Sequence, residues 1–165
     1  MRRARPGTIL SMRARLAVLV LLGAVPLFAQ NTISRASVIA GMNFERAAHH
    51  LPPLREDPRL DAAADDRVYD MRSLRYWAHV APDGRTPFEA LLPHGYSFVS
   101  AAENLAAGFE NVERLIEGWM ESAGHRANIL SAEYQDCGVA VVEGSTTHPW
   151  WRGKSVVVLF GKPRR

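Results

Sequence analysis

Three observations predict an α+β domain. Segments with apolar residues at helical spacing fill the chain after an N-terminal apolar stretch. Two runs rich in β-branched residues, CGVAVVEG at 137–144 and SVVVLFG at 155–161, close it. About 135 residues remain once the N-terminal stretch is set aside, enough for one compact domain and not for two. Helices first and strands after favour helices packed on an antiparallel sheet over alternating βαβ units.

Residues 1–29 read as a signal peptide. They hold five Arg and no acid, then an apolar run from Leu16 to Phe28. That run is shorter than the ~20 residues needed to span a bilayer, and Pro26 interrupts it, so no membrane anchor is expected to persist. Cleavage is expected after Ala29, and Met12 begins a well-shaped signal by itself, so Met1 and Met12 are both possible starts. Residues 30–165 then form a single domain.

Within that domain, residues 37–50 are predicted as a helix capped by Ser37 and ended by LPPL at 51–54. Asp57 followed by Pro58 supplies an N-cap acid and a proline at the first helical position. Leu60, Ala63, Ala64, Val68, Met71 and Leu74 recur at helical spacing, so 58–75 is an amphipathic helix. PDG at 82–84 is a turn, and Thr86 caps a short helix closed by Pro93 and Gly95. Asn111 caps a helix with Val112, Leu115, Ile116 and Trp119 on one face. The period then shortens to that of strands at 137–144 and 155–161, joined by STTHPWWRGK. Trp150 and Trp151 in this connection are expected to pack against the sheet.

Charge narrows the function classes. The chain holds 20 basic and 17 acidic residues, but five of the basic ones fall in 1–29, leaving 15 against 17. The basic pI of about 9.4 therefore belongs largely to the export signal, and no nucleic-acid partner is expected. The terminal KPRR at 162–165 is a solvated tail. One cysteine, Cys137, excludes an internal disulfide, and its place in an apolar strand run marks a buried thiol and not a nucleophile.

The polar residues most suggestive of chemistry are His79, Glu103 and His125, on three separate segments. Imidazole suits zinc or copper and also shuttles protons near neutrality. His79 follows Trp77 and His125 follows Gly124, both at expected helix exits. Glu103 lies in a small, apolar neighbourhood where a carboxylate needs a partner. It either accepts from a histidine ring or ligates a metal, or it forms a salt bridge with Arg126 or another cation. Glu113, Glu117 and Glu121 recur every four residues, the pattern of a solvated helix face, with Glu121 and Ser122 set apart by their position beside the GHR segment. A Ser122-centred nucleophilic system lacks its characteristic turn. His49, His50, His94 and His148 have no convergent acidic neighbours in the sequence.

Read in order, NFERAAHHLPPL, DPRLDAAADDRVYDM, YWAHVAPDGRTPF, AENLAAGF, GWMESAGHRANIL, CGVAVVEG and VVVLFG make residues 36–161 resemble the CAP family. This family comprises the cysteine-rich secretory, antigen 5 and pathogenesis-related 1 proteins, or SCP domains, and the resemblance is to its exported bacterial branch. It implies a three-layer α-β-α sandwich with a central antiparallel sheet and a cleft lined by two His and two Glu. Three of those positions carry over to His79, Glu103 and His125. The second acid falls near Ser122, with Glu121 one position away, and Arg126 borders the same cleft.

The resemblance supports two functional readings. One is a secreted or periplasmic binding module whose cleft takes a lipid, a small ligand, a protein or a divalent metal such as zinc. The other is a metal-dependent hydrolase, a peptidase or cell-wall enzyme. There, His79 and His125 would hold the metal and Glu103 would activate its water.

Overall fold

The computed structural model describes residues 31–144 and 153–164. The signal-peptide, His148 and Trp150–Trp151 expectations lie outside the described residues. Helix α1 (Arg35–Ala48) is followed by the two-residue strand β1 (Arg55–Glu56), helix α2 (Pro58–Ser73) and a 3-10 helix (Pro87–Leu91). Strand β2 (Phe98–Phe109), helices α3 (Val112–Glu121) and α4 (Ala123–Ile129), and strands β3 (Asp136–Glu143) and β4 (Lys154–Pro163) complete the order.

Local chemistry sets most of these boundaries. Asp57 caps α2 by accepting from the Arg59 N–H, with Pro58 at the first turn, and Asn111 caps α3 by accepting from the Arg114 N–H. α1 begins two residues earlier than expected. Ser34 is its N-cap, and Ser37 is the reciprocal member of the capping box, returning a bond to the Ser34 N–H. Thr86 and Glu89 form a second box, but the segment they start winds as a 3-10 helix.

The sheet order is β1-β3-β4-β2. β2 pairs antiparallel with β4, and β4 antiparallel with β3, while β1 adds a short parallel edge beside β3. The antiparallel centre is as expected, and the parallel edge makes the sheet mixed. Alternation along the strands splits the core in two. Ala102, Ala106, Val139, Val156, Val158 and Phe160 face α1, α3 and α4. Leu105, Ala140, Val157 and Leu159 face α2 and the 3-10 helix. Helices thus cover both faces, giving the three-layer α-β-α sandwich.

Close approach of α2 to β3 depends on Gly138, where a Cβ would overlap the backbone of Leu60 and Asp61. Cys137 is fully buried, and burial pushes its thiol up to about 12, so it is an inert core group.

β2 is the long strand that periodicity did not single out. Its sequence, FVSAAENLAAGF, is rich in alanine, yet five consecutive residues from Ala102 to Ala106 are buried. Small side chains fit because helical layers press on both of its faces. As an edge strand it presents unpaired carbonyls, and side chains cap two of them. The Trp119 indole donates to the Leu105 carbonyl at 3.2 Å, and the Asn128 amide approaches that of Glu103 at 3.4 Å.

Candidate functional site

The polar cluster forms at this β2 edge, assembled from both layers. Glu103 and Asn104 are neighbours on the strand and so point to opposite faces. Glu103 turns toward α2 and Asn104 toward α4, and each organises one histidine.

On the α2 side, Glu103 is 5% exposed. Its Oε1 accepts from His79 Nδ1 at 2.8 Å, and its Oε2 accepts from Arg67 Nε at 2.9 Å. Arg67 is itself buried. Its Nη1 donates to the Tyr76 hydroxyl at 2.7 Å, and its Nη2 donates to the carbonyls of Ala78 and His79 at 3.1 and 3.0 Å. Tyr76 in turn donates to Asp70, whose other oxygen accepts from Arg85 at 2.9 Å. One guanidinium therefore fixes both the carboxylate that orients His79 and the backbone that carries it.

With Nδ1 engaged by Glu103, Nε2 is the acceptor nitrogen of His79 when the ring is neutral. The ring is more than half exposed, so ligands can reach it. The Glu103 hydrogen bond raises the His79 pKa above its ordinary value, against the opposing effects of partial burial and the Arg67 charge.

On the other side, α3 ends at Ser122, whose extended backbone (φ −87°, ψ 118°) breaks the helix before α4 restarts it. His125 thus stands in the first turn of a new short helix, not at a helix exit. The Asn104 amide donates to the His125 carbonyl at 3.2 Å, and the Asn128 amide donates to Asn104 Oδ1 at 2.8 Å. The His125 ring lies 6.3 Å from the Trp119 ring, centroid to centroid. Burial lowers its pKa, and the neighbouring His79 lowers it further. The two imidazoles, one from each layer, are near enough that charge on one disfavours charge on the other.

The open choice at Glu103 resolves into both readings at once. It accepts from a histidine ring and it forms a salt bridge, but the cation is Arg67, not Arg126. Arg126 is exposed on α4, and Ser122 is the hinge between α3 and α4, its carbonyl accepting from the Arg126 N–H at 2.9 Å. Glu121 is exposed and lines a groove between α1 and α3, in the helical layer that also holds α4. His94 has an acidic partner that the sequence did not reveal, with Nε2 2.8 Å from Asp66 Oδ2.

Arg67, Asn104 and Asn128 are the members of this cluster that sequence reading missed. Arg67 carried a usable signal, because it lies seven residues after Leu60 and four after Ala63, on the apolar face of α2. An arginine there must be buried with a partner.

Two imidazoles with a saturated carboxylate can orient and accept a ligand. Zinc catalysis usually takes three protein ligands and an activating base. Among the described residues no group of three His, Cys, Asp or Glu stands close enough to hold a metal ion, and Glu103 has both oxygens engaged. The donor set therefore does not fit a catalytic zinc centre.

Comparison with known proteins agrees with the fold. The family model for the cysteine-rich secretory protein family matches residues 39–155. The Bacillus subtilis protein YkwD, itself uncharacterised, is 35% identical over 109 residues, which is 66% of this chain and 42% of that relative. An extracellular protein of Bacillus anthracis containing an SCP domain superposes with a TM-score of 0.67 at 26% identity, covering 78% of this chain and 40% of that one. An outer surface protein of Borrelia burgdorferi shares the fold, with a TM-score of 0.68 at 24% identity, over 77% of this chain and 90% of that one. The chain spans less than half the length of the curated relatives it matches. With the three-layer sandwich and most of its length matched, the chain belongs to the cysteine-rich secretory protein, or CAP, family.

Proposed function

We propose that this CAP domain works outside the cytoplasm as a binding module, with the β2-edge cleft as its ligand site. The observation that carries this reading is the His79–Glu103–Arg67 chain. It holds one imidazole at the surface, near enough to the partly buried His125 to influence its charge. A buried ion pair that ends on an exposed histidine fixes a ligand-contacting group, and it engages both oxygens of Glu103, the residue that the hydrolase reading needs as the base. The signal-like residues 1–29 and the extracellular relative from Bacillus anthracis support the compartment. The ligand class is one that two imidazole nitrogens can take: a divalent cation, or the polar end of a small molecule or lipid.

Zinc calorimetry on metal-stripped protein, beside the His79→Ala/His125→Ala double variant, tests the cleft. We expect saturable one-to-one binding that the double variant loses. If both proteins bind alike and the variant differs only in melting temperature, the cluster is structural and the proposal fails. Zinc-dependent hydrolysis of a peptide or cell-wall substrate would reinstate the hydrolase reading.

A further inference from the structure

A cavity lies between α2 and the 3-10 helix. It measures about 410 Å³, within the roughly 300–1,000 Å³ of small-ligand sites. Asp66, Tyr69 and Asp70 line it from α2, where their spacing places them on a single helix face. Glu89, Ala90 and Pro93 line it from the 3-10 helix and the residues just after. Arg67, which holds Glu103 and the backbone of His79, also borders this cavity, as does Arg85.

The lining keeps hydrogen-bonding capacity in reserve. Asp66 gives Oδ2 to His94 at 2.8 Å, and Glu89 gives Oε1 to the Thr86 N–H at 2.9 Å. Among the described residues, their second oxygens, Asp66 Oδ1 and Glu89 Oε2, have no hydrogen-bond partner. Arg85 donates from Nε to Asp83 and from Nη2 to Asp70, which leaves its Nη1 without a partner among the same residues. The Tyr69 side chain is exposed, the whole residue to 74%. The chain of bonds that fixes His79 uses none of these four groups.

We infer that the cavity between α2 and the 3-10 helix binds the ring of a neutral sugar. Its wall mixes carboxylates with guanidinium groups, so a cation there meets Arg67 and Arg85, and an anion meets Asp66, Asp70 and Glu89. A hydroxyl carries one donor and two acceptor lone pairs, and suits both kinds of group. Hydroxyls of one ring would donate to Asp66 Oδ1 and Glu89 Oε2 and accept from Arg85 Nη1. The apolar C–H face of the ring would lie on Tyr69, with Ala90 and Pro93 as further apolar contacts. The two histidines take no part.

The probe is methyl glucoside, titrated into isotope-labelled protein and read by NMR as amide shifts in α2 and the 3-10 helix. Glucosamine and glucuronate present the same ring with a positive or a negative charge. We expect saturable shifts with a Kd of about 1–10 mM, and binding of both charged sugars weaker by about threefold or more. Tyr69→Ala and, separately, Asp66→Ala should each weaken glucoside binding about fivefold or more. Both positions are exposed, so the variants' melting temperatures should match the parent protein. The His79→Ala/His125→Ala protein should bind the glucoside unchanged, because it keeps every residue that lines the cavity. The inference is overturned if the glucoside gives no saturable shifts, if either charged sugar binds as tightly as the glucoside, or if the Tyr69 and Asp66 variants bind as the parent does.

Discussion

Arg46 and Arg67 are both buried on the apolar faces of helices, one in each layer, yet they do different work. Arg46 is fully buried on α1 and, among the described residues, has no carboxylate hydrogen-bond partner. It donates to the carbonyls of Pro52, Ile129 and Ser131 at 2.8 Å each, and to that of Tyr134 at 3.4 Å. It ties the LPPL break and the α4–β3 loop to α1, and burial lowers its pKa. Arg67 spends its donors on a carboxylate, a phenol and two carbonyls, and the carboxylate passes the constraint on to His79. A buried cation that meets only carbonyls braces the chain. One that meets a carboxylate reaching a surface histidine builds a site.

The largest expected effect breaks the bracing member. Arg46→Met leaves up to four carbonyls without their donor and should cost about 4 kcal/mol in urea unfolding. The zinc affinity of the remaining folded protein should not change. Arg67→Met removes the partner of a buried carboxylate and should cost about 3 kcal/mol, with zinc binding lost as well because the 78–79 backbone and Glu103 are released together. Adding Glu103→Met to Arg67→Met should recover more than half of that stability without restoring zinc binding, since apolar replacement of a buried ion pair is often close to neutral. If Arg46→Met abolishes zinc binding equally, while still folded, the division of labour is wrong.

The smallest expected effect concerns pH. His125 is held below its ordinary value, so the folded state favours its neutral ring. That contribution is fully present above the unfolded value of about 6.5 and is lost as pH falls through the lower folded value. His79 is raised, so its contribution runs the other way: present below about 6.5 and lost as pH rises through the folded value. Urea midpoints at acid and neutral pH should therefore show His125→Gln losing less stability on acidification than the parent, and His79→Gln losing more.

Much of the frame was legible because the signals were local. Asp57–Pro58 and Asn111 set the starts of α2 and α3, and the valine runs set β3 and β4 to within a few residues. β2 escaped because alanine carries little strand preference, and its pairing with β4 joins residues about 45 to 65 positions apart. The candidate site was half legible. His79, Glu103 and His125 stood out as polar residues in apolar or turn-rich surroundings, whereas Arg67 looked like one more charge on a helix. Glu121, adjacent to the same motif in sequence, lines the groove between α1 and α3 because it is the last residue of α3, before the extended backbone at Ser122 redirects the chain into α4.

Local sequence chemistry specified the caps of α2 and α3, the closing strands, the single inert thiol and the identity of the three central polar residues, but not the cap of α1, which is Ser34 and not Ser37. Each follows from chemistry within a few positions of the residue concerned. Long-range packing settled which cation pairs with Glu103, that the two histidines approach the sheet edge from opposite layers, and that the glutamate row borders the groove between α1 and α3. These depend on contacts between segments distant in sequence, such as the 36 positions between Arg67 and Glu103, and packing of the two layers against one edge strand brings them together.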